Sequence, residues 1–223
     1  MTDIELLTPN KIIKSKRKTL AIQISTSGEL IIRAPINCSE EKINKFIVRY
    51  HYWIIEKRLK QMSINNSILN LEEGNVLSIL GENYDIKLSV DKCCKVNQNT
   101  IYLPINNREQ QLKSFLKSVL KEYVKKNISY FESLLNVKAK KITISEAKTN
   151  WGSCSFKNNL HFTFRLALCP KEVVNYVIIH ELCHIKEKNH SRSFWTLVGS
   201  LCTNYKQMNK WLKDNRHIMD WVN

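Results

Sequence analysis

Residues 180 to 184 read His-Glu-Leu-Cys-His and follow an apolar run that includes Val173, Val174, Val177, Ile178 and Ile179. This spacing predicts a largely buried α-helix, opened by Pro170. No other segment constrains the chain as strongly. Helical pitch puts His180 and His184 one turn apart on one face, so both imidazoles reach a single ion at ~2.0–2.1 Å. Glu181 lies about 100° round the axis from His180, close enough to bond a water on that ion without ligating it.

A catalytic zinc takes three protein donors and keeps a fourth position open. His190 is the candidate third donor. On an uninterrupted helix it would lie about 9 Å beyond His184 and roughly 120° round the axis, so the helix is expected to stop and the chain to fold back. Lys186 and Lys188 suit the negative end of a helix, Asn189 tolerates a left-handed cap, and Ser191 can cap a new helix carrying Phe194, Trp195, Leu197 and Val198. Three of the six histidines fall between positions 180 and 190, which sets this cluster apart from satisfied core histidines. His51, His161 and His217 have no companion at ligand spacing and read as structural or surface residues.

The remainder reads as α+β. Lys18 to Ser25 and Glu29 to Ala34 form two strands joined at Thr26-Ser27-Gly28. Ser39 is placed to cap a helix through Ile43, Phe46, Ile47, Tyr50, Trp53 and Ile54 that ends near Lys60. Short alternating runs from Asn65 to Leu103, punctuated by Gly74, Gly81 and Pro104, predict small strands. A long amphipathic helix is expected from Arg108 to Leu135, with Leu112, Leu116, Val119, Tyr123, Ile128, Phe131 and Leu135 on its core face. Lys113, Lys117, Lys121 and Lys125 recur along another stripe, which reads as a solvated face. Ile142 to Glu146 is an expected strand. Ser153 to Phe164 is a second strand, or a hairpin turning at Lys157-Asn158-Asn159. The expected division is a mixed α/β region of hairpin, helix and short strands over 1–105, followed by the unit that carries the histidines over 106–223.

The seven cysteines show no C-x-x-C spacing, which argues for reduced, mostly buried thiols rather than disulfides or a four-cysteine zinc knuckle. No run approaches the ~18 apolar residues that span a bilayer, and the first residues lack a secretory pattern, so a cytoplasmic location without a membrane partner is expected. Thirty-five Lys and Arg against twenty Asp and Glu give a net charge of +15. That charge favours nucleic acid or nucleotides as partners, although a chain rich in Lys, Asn and Ile can owe it to base composition.

The segment Tyr176-Val177-Ile178-Ile179-His180-Glu181-Leu182-Cys183-His184, then Asn189-His190-Ser191 and Phe194-Trp195, resembles the core signature of the YgjP-like metallopeptidase family of zincin-fold proteins. Trp151-Gly152-Ser153-Cys154-Ser155, Arg165-Leu166 and Pro170 are similar to its second block. Arg17, Gly28, Arg33-Ala34-Pro35, Trp53-Ile54, Gly74, Gly81 and Tyr84 stand where the family pattern places them. The resemblance spans nearly the whole chain. It implies an α+β architecture, with a zincin-like catalytic domain behind a small N-terminal β-rich region. It also implies that His180, His184 and His190 hold zinc and that Glu181 is the catalytic acid/base. Asn150 stands where the family usually carries Arg, a departure that bears on substrate range. The spacing to His190 also matches metzincins, but Glu187 occupies the position where they need glycine.

These residues point to a zinc-dependent metallopeptidase acting on a peptide or protein, in which zinc acidifies a water and polarises the carbonyl while Glu181 carries the proton to the leaving amine. Arg165 and Tyr176 are the local candidates for an oxyanion donor, each with the alternative of a salt-bridge or packing role. The 153–164 segment could align an extended peptide along its edge. Two other readings stand beside this one. A metal-dependent hydrolase of a nucleotide or other phosphoanhydride suits the charge, but no glycine-rich phosphate loop or acidic metal cluster is visible. A non-enzymatic, basic nucleic-acid-binding module with structural zinc also suits it, but three histidines with a free fourth position speak against that.

Overall fold

The computed structural model describes residues 3–25, 27–67 and 70–221, which form two compact units dividing after Asn70. In the first, α1 (Asp3–Leu7) leads into β1 (Lys11–Ser15), β2 (Ala21–Ile24) and β3 (Leu30–Pro35), followed by α2 (Glu40–Arg49) and α3 (His51–Ser67). β3 is central, with β1 parallel to it and β2 antiparallel, Ile24 opposite Leu30. The expected hairpin is therefore present; Thr26, assigned to its turn, lies outside the described residues. Leu30, Ile32 and Ala34 alternate inward to meet Ile43, Ile47 and Ile54. Arg58, 5 % exposed, donates from Nη1 to the carbonyls of Glu5, Leu6 and Thr8 and so ties down the end of α1.

Ser39 caps α2 as expected, its hydroxyl accepting from the Lys42 N–H. The single helix expected through Lys60 is two helices. Tyr50 leaves helical geometry (φ −110°, ψ 18°), and His51 Nδ1 lies 2.7 Å from the Val48 carbonyl, satisfying one acceptor of the last turn of α2. α3 then continues to Ser67, over positions that the alternation had assigned to strand.

The second unit opens with β4 (Val76–Ile79), β5 (Glu82–Ser89), β6 (Lys95–Asn97) and β7 (Thr100–Pro104), in the order β4-β5-β7-β6 with β5 and β7 parallel. The boundary expected after residue 105 falls instead after 70, because β7 packs against the following helix, α4 (Arg108–Leu135). α4 has the expected bounds. Its buried stripe runs through Leu112, Leu116, Leu120, Val124, Ile128, Glu132 and Leu135, which leaves Val119, Tyr123 and Phe131 half-buried on its flank. Tyr123 donates its hydroxyl to Asn175 Oδ1 at 2.9 Å.

β8 (Lys141–Ser145), β9 (Gly152–Cys154) and β10 (Asn159–Thr163) form another sheet in the order β8-β10-β9, β8 parallel and β9 antiparallel to β10. Of the two forms expected for 153–164, the hairpin is present, with Asn158 at φ 60° in its turn. A 3-10 turn (Phe164–Leu168) leads to α5 (Lys171–Lys186), then α6 (Arg192–Leu201), α7 (Tyr205–Asp214) and a second 3-10 turn (Arg216–Asp220). α5 packs against α4, β9, α6 and α7. Its start is fixed by the β4–β5 turn. Leu80 and Gly81 are both at positive φ (51° and 81°), the Leu80 N–H donates to the Ala167 carbonyl at 2.7 Å, and Glu82 pairs with Lys171 at 2.5 Å.

No described helix is long and apolar enough to cross a membrane. The cysteines are unpaired. Cys38, Cys169 and Cys183 are buried, but Cys93 is exposed and the other three are half-buried, so the thiols are less enclosed than expected.

α4 ends on Asn136 in the left-handed region (φ 48°, ψ 55°), where the absence of a Cβ relieves strain. Asn136→Gly is expected to leave stability unchanged or raise it, and Asn136→Val to lower it by about 1–2 kcal/mol. Urea unfolding of the two variants beside the parent checks both signs.

Candidate metal centre

α5 buries Val173, Val174, Val177, Ile178, Ile179, Leu182 and Cys183, as its apolar run predicts. His180 and His184 stand one turn apart with ring centroids at 5.0 Å. The helix stops at Lys186: Glu187 is extended (φ −118°, ψ 100°), and its carbonyl lies 2.9 Å from His184 Nδ1. A carbonyl can only accept, so the imidazole proton sits on Nδ1 and Nε2 of His184 keeps its lone pair. The left-handed cap expected at Asn189 is not formed. Asn189 Oδ1 accepts from the Ser191 N–H, and Ser191 caps α6 as expected, accepting from the Phe194 N–H. This turn returns His190 to the cluster, its centroid 5.1 Å from His180 and 4.7 Å from His184, its Nε2 3.1 Å from His180 Nε2.

Aromatic rings hold the imidazoles in place. Phe194 stacks on His184 (4.4 Å, 25°), Trp195 on His190 (5.6 Å, 25°), and Tyr205 on Trp195 (5.3 Å, 20°). In the sequence, Phe194 and Trp195 stand in the apolar pattern of a helix and in the resemblance to the family signature, with no role at the histidines assigned to them. Their position one turn beyond His190, just past a capping serine, is the signal that they return over the histidines.

One donor atom from each histidine lies within 4.8 Å of the other two. Donors on a tetrahedral ion at ~2.0–2.1 Å are about 3.4 Å apart, so the 3.1 Å between His180 and His190 is close to that spacing. Burial, reinforced by the two neighbouring imidazoles, holds His180 down to about 3, and burial lowers His184 as well. Both therefore stay neutral and able to ligate at neutral pH. Nδ1 of His180 is buried without a hydrogen-bond partner. Three imidazoles fit a divalent transition-metal ion.

Glu181 follows His180 directly and is 5 % exposed. Burial alone pushes its carboxyl up to about 8, and a positive charge among the adjacent imidazoles would restore the anion. The room for this side chain comes from Gly152 in β9. A Cβ built there would stand 2.8 Å from both Cγ and Oε1 of Glu181, closer than side chains approach. In the sequence Gly152 stands out only within the family resemblance; its contact with Glu181 joins residues 29 positions apart, beyond the reach of any local pattern.

The two candidate oxyanion donors separate. Tyr176 lies one turn before His180, its ring edge-on at 5.8 Å, and burial pushes its phenol up to about 12, so it remains a protonated donor. Arg165 turns inward and is 1 % exposed. Its Nη2 and Nε donate to the Trp221 carbonyl at 2.7 and 3.1 Å, its Nη1 to the carbonyls of Glu146 and Ala147, and its guanidinium lies 4.6 Å over the Phe164 ring. That is the core role weighed against catalysis for this residue. Asn150 is exposed, its Oδ1 accepting from the Thr149 hydroxyl at 2.6 Å. His51, His161 and His217 join no such donor group among the described residues.

The model of the YgjP-like, metallopeptidase domain family matches residues 18–215. No curated protein matches the chain.

Gly152→Ala is expected to cost about 1–3 kcal/mol through overpacking. In a Glu181→Ala background, where Cγ and Oε1 are gone, most of that cost should vanish. A double-mutant cycle by urea unfolding measures it; equal costs in both backgrounds would show that the contact is unimportant.

Proposed function

Since the chain belongs to the YgjP-like metallopeptidase family, we propose that it is a zinc-dependent peptidase whose substrate is an extended stretch of peptide or protein. The observation that carries this reading is the pairing of three clustered imidazoles with a buried carboxyl group, Glu181, set against a strand that leaves it space at Gly152. His180, His184 and His190 would hold the ion through Nε2. When bound, zinc supplies a Lewis acid that acidifies water and polarises a carbonyl oxygen.

Glu181, as the carboxylate, takes the proton from the attacking water and passes it to the nitrogen of the departing amine. Its burial strengthens its hold on that proton between the two transfers. β9 is an outer strand of its sheet and runs past Glu181, so an extended peptide paired along its free edge would carry its backbone across the carboxyl group. Tyr176, protonated and beside His180, is the proposed donor to the developing oxyanion. Arg165 has no part in this step, because its guanidinium is engaged with backbone carbonyls in the core.

Metal content by elemental analysis, read beside turnover of a peptide library and of nucleoside triphosphates, tests the proposal. The wild type is expected to carry stoichiometric zinc and to cleave peptides. His190→Ala should lose the zinc, and Glu181→Gln should keep it while kcat falls roughly 10²–10⁴-fold. A chelator should abolish cleavage, and added zinc should restore it. Phosphate release from the triphosphates by zinc-loaded protein that leaves peptides intact would overturn the peptidase reading.

A further inference from the structure

α4 and β8 run side by side in opposite directions and are tied at both ends. At one end Glu132 accepts from the Ala139 N–H at 2.9 Å and pairs with Lys138 at 2.5 Å. At the other, Glu146 pairs with Lys117 at 2.5 Å and with Lys113. Rising at ~1.5 Å per residue, α4 covers about 22 Å from Lys117 to Glu132, and the extended chain at ~3.3 Å per residue covers about 23 Å from Ala139 to Glu146. The two elements therefore keep level between the ties.

Between them lies a groove of about 640 Å³ that includes none of the metal-centre residues. Val124 and Ile128 of α4 and Ile142 and Ile144 of β8 give it an aliphatic lining. Ile142, Thr143 and Ile144 all line it, although successive residues of a strand point to opposite faces, so the groove follows the edge of β8 and not one face. β8 is the outer strand on this side of its sheet, and such an edge presents unpaired backbone N–H and C=O groups. Lys121, Lys125 and Lys141 border it, exposed and outside any ion pair among the described residues.

We propose that this groove binds an acidic peptide segment in extended conformation, added as a further strand along the outer edge of β8, with carboxylates at alternate positions turned towards α4. Lys121 and Lys125 are about 6 Å apart along the helix, and alternate residues of a strand are about 6.6 Å apart, so two carboxylates on one face of the peptide meet both ammonium groups without bending. The residues between them fall to the other face. No aromatic ring lines the groove, so bases find nothing to stack on, and this favours a peptide over single-stranded nucleic acid.

The test titrates the full chain against a labelled synthetic peptide of alternating Glu and Val, followed by fluorescence anisotropy. The Lys121→Glu, Lys125→Glu double variant changes two exposed side chains, and its circular dichroism and metal content report whether the fold is kept. Saturable binding is expected to weaken at least about tenfold in the variant. It should weaken comparably for one of the two peptides N-methylated on alternate backbone nitrogens, because strand pairing is lost. Four results would overturn the proposal: no saturable binding up to ~1 mM peptide, undiminished affinity in the folded variant, equal binding of both N-methylated peptides, or displacement of the peptide by an oligonucleotide at lower concentration than by unlabelled peptide.

Discussion

Glu181 is a carboxyl group taken out of water with no ion pair among the described residues, and the surrounding unit is arranged about that fact. An unpaired buried carboxylate is costly, so the side chain prefers its proton. The same burial lowers the neighbouring imidazoles of His180 and His184. Together they make a pocket of lone pairs and a latent negative charge that is balanced when a divalent cation enters. The two halves depend on each other, since imidazoles alone would leave the carboxyl protonated and the carboxyl alone would have nothing to activate. Gly152 makes the arrangement sterically possible by letting β9 pass within contact of α5.

The parts that could be read from the sequence are those whose determinants are local. Helical pitch alone places His180, Glu181 and His184, and Ser191 marks where the chain resumes a helix after its break. The bounds of α4 followed from its apolar period. The division of the chain after 70 was hidden because it depends on β7 packing against α4, a contact between elements and not a pattern within one. The break at Tyr50 was hidden because the residues on either side are equally good helix formers, and a histidine ring reaching back to a carbonyl is what closes α2. At the site, Asn189 has the composition of a left-handed cap but serves as a hydrogen-bond acceptor for the next turn, while the helix is ended by Glu187.

Arg165 shows the limit most clearly. An arginine close in sequence to a metal helix is as reasonable an oxyanion donor as a core residue, and only its partners decide. Its acceptors at Glu146, Ala147 and Trp221 are main-chain carbonyls, and two of its nitrogens converge on Trp221. Phe164 lies under the guanidinium and also meets the Trp221 ring edge-on at 6.0 Å. The 3-10 turn before α5 and the segment after α7 thus share one buried charge.

That shared charge joins two stretches of sequence 56 positions apart. A chain that has emerged only through α7 already possesses Phe164, the metal helix and all three histidines, yet its Arg165 guanidinium lacks the acceptor that takes two of its nitrogens. Without the Trp221 carbonyl, enclosing that cation is unfavourable. That acceptor lies 31 positions beyond His190, the last of the three clustered histidines. The determinants of α5 are local, but the buried charge just before it is satisfied by a residue that follows α7.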